Sequence, residues 1–545
     1  MRFKFISPLE KVRLTDKVNY FADYKKASAL LGDRLYFAAV YDTVGDTLVR
    51  GICTEIGIDS PLAPYLEVYA VDQVPVRLPH YPDATDADYV GHEPGLYPDL
   101  LRPTRIVHPC TGCCGQLYFE LNVPKTLDAG VYGITVTLTP KNGEPISDRI
   151  EIEVLPALMP EQPIEYAHWF HYDCLSTYYK AEIFSERHWE LVENFVKGAV
   201  KLGVTALLTP VFTPPLDTVV GGERPTVQLV DITIENGKYA FGFEKLKRFC
   251  EMSLRCGVRQ LEIAHLFTQW GAEHAPKIMA TVDGTYRRIF GWDTDATSKE
   301  YIGFLQEFIP AVKEKLDEYG YRDRYFFHIS DEPREKHLAS YKAAKDAVWP
   351  LICDHPVRDA LSHYDFYEQG IVSHPIPIVK TADQFVKNNV PDLWVYTCCS
   401  PGSVCTNRFV AMSGNRTRVV GAQMFKAGVT GFLHWGYNFY YCQHSVMPID
   451  PFVMPDADYF APAGDAFSVY PGNDGMPLYS LHAVLFEQAL YDMRAMAAAE
   501  KVAGREAVVD AIDRAGATDF LHYSTDPQRL LALREKVNRL AAGLC

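Results

Sequence analysis

The periodicity of this sequence changes once, near residue 160, and that change limits what the chain can fold into. From residue 14 to about 155, short apolar–polar alternations recur between Gly, Pro and Asp residues. The clearest are Arg34-Leu-Tyr-Phe-Ala-Ala-Val-Tyr41, Tyr65-Leu-Glu-Val-Tyr-Ala-Val71 and Gln116-Leu-Tyr-Phe-Glu-Leu-Asn-Val123, followed by Gly133-Ile-Thr-Val-Thr-Leu-Thr139 and Asp148-Arg-Ile-Glu-Ile-Glu-Val154. Strands at this spacing predict an N-terminal β-sandwich domain over 1–158. The segment Leu155-Pro-Ala-Leu-Met-Pro-Glu-Gln-Pro163 then carries three prolines in nine residues and reads as a boundary.

After it the rhythm becomes strand then helix. Strands are expected over 164–170, 204–209, 260–265, 324–330, 360–364, 376–379, 393–397 and 430–435. Helices are expected over 186–202, 243–256, 299–319, 335–349 and 408–427. Eight short strands separated mostly by helices is the count of a (β/α)8 TIM-like barrel, placed at 164–500. Strands five and six are the least regular, because 354–380 has little room for a helix and Pro377 interrupts strand six. The Pro- and Gly-rich stretch 213–240 is expected to form a long loop or hairpin on the face where barrel active sites lie. Helices near 481–498, 506–513 and 527–542 end the chain, the last two forming a C-terminal helical extension over 501–545. The fold class is thus all-β followed by α/β.

Composition excludes some partners. A net charge of −16 argues against nucleic acid and anionic membranes, which reward Lys/Arg surfaces. The N-terminus has no apolar stretch of signal-peptide length, no segment approaches a membrane span, and the 13 cysteines are scattered. A cytoplasmic protein with reduced thiols is expected. His108-Pro-Cys-Thr-Gly-Cys-Cys114 is the best metal-like cluster, yet no second pair follows at zinc-site spacing. Cys398-Cys399 reads as packing with a redox alternative. Neither a metal nor a cofactor is expected. Phosphate-binding Gly-rich loops and serine nucleophile elbows are absent.

The residues expected at the C-terminal strand ends converge on one chemistry. The run Arg324-Tyr-Phe-Phe-His-Ile-Ser330 stops at the neighbouring acids Asp331 and Glu332 and at Pro333. Two carboxylates there suit acid/base hydrolysis, although an acid at a helix start is also a common cap. Neighbours on a regular strand face opposite ways, so both enter one site only if the strand breaks. Pro333 favours that break and is expected to hold Glu332 extended. His168, Tyr364, Trp394, Tyr396, Trp435, Tyr437 and Asn438 are the expected substrate-binding groups, rings and amides suited to a sugar. His168 serves equally well as a core histidine.

The Ser330-Asp-Glu-Pro333 strand end and Gly431-Phe-Leu-His-Trp-Gly-Tyr-Asn438 resemble glycoside hydrolase family 123 and the related domain of unknown function 4091. Gly464-Asp-Ala-Phe-Ser-Val-Tyr-Pro-Gly472, Ser480-Leu-His482, Tyr491-Asp492 and Leu127-Asp-Ala-Gly-Val-Tyr-Gly133 extend the resemblance over most of the chain in the family's order. It implies a β-N-acetylgalactosaminidase working by substrate-assisted catalysis. Glu332 would then be the general acid/base and Asp331 the group that orients the 2-acetamido nucleophile. Phe439-Tyr-Tyr-Cys-Gln-His444, and His434 before Trp435, depart from the family pattern and bear on which sugar is preferred. The same mechanism on N-acetylglucosamine, or a non-catalytic carbohydrate-binding barrel, are the alternatives. The expected partner is a small glycan or glycoconjugate, with self-association left open.

Overall fold

The computed structural model describes residues 1–43 and 52–544. The chain is a mixed α/β protein with several β-sheets. Its N-terminal part holds two five-stranded sheets. One runs Arg2–Ile6, Arg34–Asp42, Cys114–Asn122, Leu66–Val76 and Gly95–Pro103, all antiparallel. The other runs Lys26–Leu31, Ile146–Leu158, Gly130–Pro140, Thr54–Asp59 and Ile106–Val107. Side chains alternate along a strand, and Arg34–Asp42 shows why its apolar run is unbroken. Leu35, Phe37 and Ala39 enter a core shared with the second sheet, where Phe37 stacks on Phe119 at 4.9 Å. Tyr36, Ala38 and Val40 enter the larger core made with the rest of the molecule. The strand Ile146–Leu158 runs through Pro156 into the segment read as a boundary, with a shift of register between Leu155 and Leu158. A proline within a strand is tolerated at such an irregularity.

Eight parallel strands follow. Glu165–His168, Ala206–Thr209, Gln260–Ile263, Tyr325–Phe326, Trp394–Thr397 and Gly431–His434 share a six-stranded sheet. Arg358–Ala360 pairs with His374–Ile376. Single parallel bridges, Phe327 to Val357 and Ile378 to Tyr396, join that pair to the two ends of the six-stranded sheet. Pairing therefore runs around all eight. The fifth and sixth strands start two residues earlier than expected, and Tyr364 instead opens a short helix, Tyr364–Glu368. The expected helix over 408–427 begins only at Gly414 and is interrupted after Arg418. The loop expected over 213–240 ends in the hairpin Asp231–Glu235 and Lys238–Gly242. That hairpin is completed by a second one, Ile278–Val282 with Thr285–Phe290, which is not among the expected strands.

The C-terminal helices Leu481–Ala503 and Pro527–Ala541 pack back onto the N-terminal sheets through buried charges, and Arg505–Ala515 packs against both helices. Tyr36 donates to Glu487 at 2.7 Å, and His482 meets Asp99 at 2.7 Å. Arg534 bridges Asp33 and Asp492, while Arg418 grips Asp492 with two nitrogens at 2.7 and 2.8 Å. Removing one partner of such a network leaves a buried charge uncompensated, at about 3–5 kcal/mol. Arg534→Ala is accordingly expected to lower the urea unfolding midpoint strongly, in a transition followed by both tryptophan fluorescence and helical circular dichroism.

Candidate active site

A cavity of about 290 Å³ opens where the C-terminal ends of the parallel strands converge. Trp169, from the turn after the first strand, and Leu433, from the eighth, line its floor. Tyr396, Cys398 and Cys399 form one wall, and Trp435 with Phe460 another. Asp217, Gln269 and Trp270 complete the lining beside Asp331 and Glu332.

The fourth strand ends early because Asp359 takes over its amide groups. The Asp359 carboxylate accepts from the backbone N–H of Ile329 at 3.0 Å and of Ser330 at 3.3 Å. The Trp270 N–H donates to the Asp331 carbonyl at 2.9 Å. Glu332 then sits at φ 42°, in the left-handed region, and not extended as Pro333 led us to expect. Strand neighbours can share one cavity only through such a break. Asp217 and Trp270 in the same cavity, and His444 packed against both, also have positive φ, of 42°, 61° and 61°. Strained non-glycine backbone of this kind costs about 1–3 kcal/mol per residue and concentrates at functional sites.

The two acids stand in different settings. The Tyr396 hydroxyl donates to Glu332 Oε1 at 2.7 Å. Asp331 receives no side-chain hydrogen bond among the described residues, and its carboxyl is pushed well above the usual range by burial and then by the charge of Glu332. Behind Trp435, buried Asp465 accepts the indole N–H at 2.9 Å. Burial, with a contribution from Glu332, raises Asp465 to about 7 against the pull of Trp435 and Arg408. Asp217 is raised to about 6 by burial and holds the His444 N–H at 2.9 Å. A hydrogen bond to a charged group contributes roughly 1.5–3 kcal/mol. Tyr396→Phe is therefore expected to lower kcat about ten- to a hundredfold and to lower Tm by a few degrees.

Under the floor lies a fully buried charged row. Trp169 Nε1 and His328 Nε2 both meet Glu262 Oε1, at 2.7 and 2.5 Å, and His328 Nδ1 lies 3.5 Å from Asp359. Burial works against the His328 charge, but Asp359 and Glu262 outweigh it and raise the imidazole to about 9. This group's contribution to stability is fully present below about pH 6.5, its ordinary value, and is lost as pH climbs through about 9. A Tm series across that interval checks the sign. His265, His328 and Asp359 are close enough to be weighed as a metal site. The two imidazoles, however, stack at 4.3 Å and 12°, so their in-plane lone pairs do not converge on one ion, and Glu262 occupies His328 Nε2.

Of the residues expected from sequence, Asp331, Glu332, Tyr396 and Trp435 line the cavity. The others do not. His168 is a core histidine, bonded to the Tyr166 hydroxyl at 2.8 Å and packed on His434 and Tyr437. Trp394 points inward like Tyr396 but lies one pleat deeper, fully buried under Arg358 at 4.4 Å. Tyr437 donates to the Phe195 carbonyl, and Asn438 clamps the backbone of His171 through both amide atoms. Tyr364 packs on Phe385. Sequence reasoning missed Asp217, Trp270, Phe460 and Asp465 as part of the site. Asp465 lay within a family-like motif, and Asp217 within the long loop assigned to this face.

The model of the glycoside hydrolase 123 catalytic domain matches residues 169–499. No curated protein matches the chain. A family 123 glycoside hydrolase from Clostridium perfringens, described for glycolipid glycan hydrolysis, has a similar structure. Its TM-score is 0.76 at 13% identity, covering 99% of this chain and 97% of that one. At that identity the likeness concerns the fold. A Bacteroides ovatus family 5 xyloglucanase (TM-score 0.28, 10% identity, 86% and 98% covered) and a Rhizomucor miehei family 5 mannosidase (0.30, 11%, 65% and 95%) are too distant to argue from.

Proposed function

We propose that this chain, which belongs to glycoside hydrolase family 123, is a retaining, exo-acting enzyme that removes terminal β-linked N-acetylgalactosamine by substrate-assisted catalysis. The reading rests on one observation: neighbouring residues Asp331 and Glu332 share the wall of one small cavity, and only Glu332 is held by a hydroxyl donor. We take the eight parallel strands as a (β/α)8 barrel of TIM type, the two N-terminal sheets as a β-sandwich, and 1–158, 164–500 and 501–545 as the domains.

In this account Glu332 gives its proton to the glycosidic oxygen as the bond to the anomeric carbon breaks. The substrate's acetamido oxygen attacks that carbon from the other face and forms an oxazolinium ion. Asp331 accepts the acetamido N–H and balances the developing positive charge. Glu332, now a carboxylate, takes a proton from the water that opens the ring, so configuration is retained. Substrate-assisted enzymes are known exceptions to the two-carboxylate retaining rule. Trp435, fixed by Asp465, and Trp169, fixed by Glu262, supply ring faces for the sugar. A cavity near 290 Å³ is at the small end of ligand sites and suits one terminal residue.

The Clostridium perfringens enzyme acts on glycolipid glycans, and we assign a small glycan or glycoconjugate as substrate here, with neither nucleic acid nor membrane as partner. No helix among the described residues is long and apolar enough to cross a membrane. Every described cysteine is a free thiol, with Cys545 outside the described residues, and we place the protein in the cytoplasm. Proton NMR of a β-glycoside digest tests the mechanism. The β-anomer of the free sugar should appear first, and first appearance of the α-anomer overturns it.

A further inference from the structure

We propose that Cys398 and Cys399 form a dithiol ligand site in the wall of the catalytic cavity that takes trivalent arsenicals and closes the cavity to sugar. The pair follows directly on the strand Trp394–Thr397, and both residues line the cavity that holds Glu332. Adjacent side chains on a regular strand would diverge. The chain leaves the strand at Cys398, and the two sulfurs stand 3.9 Å apart. That separation belongs to two thiols, since a disulfide bond is near 2.05 Å.

Two features favour a bridging ligand over oxidation of the pair. Neighbouring Cα atoms are about 3.8 Å apart, below the roughly 4.4–6.8 Å that an unstrained disulfide spans. A third atom between the sulfurs removes that constraint. The Cys398 thiol is also held well above its ordinary pKa by its hydrogen bond with Cys399, then by burial, and by the nearby carboxylates of Glu332 and Asp465. A thiol kept protonated is slow toward oxidants and alkylating agents, which need thiolate. Condensation with an arsonous acid balances without redox: RAs(OH)₂ + 2 RSH → RAs(SR)₂ + 2 H₂O. Two As–O bonds break, two As–S bonds form, and the thiol protons leave in water. The adduct then occupies the space beside Tyr396 and Glu332.

Cys110 and Cys113 form a second thiol pair outside the cavity, with Cys114 next in sequence. The test therefore uses the full chain carrying Cys113→Ser, treated with one equivalent of phenylarsine oxide. Intact-mass and peptide mapping should show one arsenical across 398–399, and C113S/C399S should show none. Prior incubation with an oxazoline-mimicking thiazoline should slow adduct formation at least tenfold in the unmutated pair, a comparison independent of how C399S folds. Loss of aryl-glycosidase activity should track the adduct and be reversed by 2,3-dimercaptopropanol but not by 2-mercaptoethanol. The activity readout and the thiazoline protection rest on the proposed function, whereas mass mapping of the adduct separates failure of the site from failure of that reading. An adduct elsewhere, or full turnover with 398–399 fully bridged, overturns the inference.

Discussion

Glu332→Gln is expected to lower kcat on an aryl β-N-acetylgalactosaminide by about 10²–10⁴-fold, the usual range for losing a general acid/base. The loss should depend on the leaving group. A dinitrophenolate departs with little protonation, so its release from the variant should approach the wild-type rate. A sugar or alkyl aglycone needs the proton and should suffer the full loss. Tm should stay near the wild-type value, because Glu332 is only partly buried and its side chain is held by Tyr396. Stopped-flow comparison of the two leaving groups gives the result. A uniform loss across leaving groups would point to misfolding of the site and not to a missing acid.

Asp331→Asn is expected to lower kcat by roughly 10²–10³-fold, comparable to removing a group that stabilises developing charge. Asparagine still offers a carbonyl to the acetamido N–H but no negative charge to the oxazolinium ion. Its effect on stability should run the other way. Burial and Glu332 push the Asp331 carboxyl well above its ordinary range. For this group, stability is fully present below the unfolded value near 4 and is lost as pH rises through the folded one. At neutral pH an uncharged Asn therefore relieves a cost, and Tm should rise while turnover falls. Stabilisation of this kind at the expense of activity is the signature of an electrostatically strained site. Parallel thermal melts and kinetics at pH 7 read both effects.

The sequence revealed the site's acids more fully than its walls. Asp331 and Glu332 were visible because two carboxylates and a proline end an apolar run, and Tyr396 because its strand alternates cleanly. Trp394 was assigned to the wall because period two fixes which face a side chain takes but not its depth below the cavity. Tyr437 and Asn438 lie beyond the strand end, where a turn sends one toward Phe195 and the other onto His171. Glu332 was expected to be extended, since propensity before proline is local, whereas Asp359 on the fifth strand and Trp270 in the turn after the third hold this turn from outside. The buried row Glu262–His328–Asp359 comes from three separate strands, and no short-range pattern joins them. The hairpin Ile278–Val282 with Thr285–Phe290 was not among the expected strands, because its strands gain meaning only against Asp231–Glu235.

The central claim is that the substrate's own acetamido group is the nucleophile held between Asp331 and the anomeric carbon. Initial rates on para-nitrophenyl β-N-acetylgalactosaminide, β-N-acetylglucosaminide and β-galactoside test it most directly. Turnover of the N-acetylgalactosaminide, with weaker or no turnover of the N-acetylglucosaminide and none of the galactoside, is the predicted result. Turnover of the galactoside alone would contradict the account.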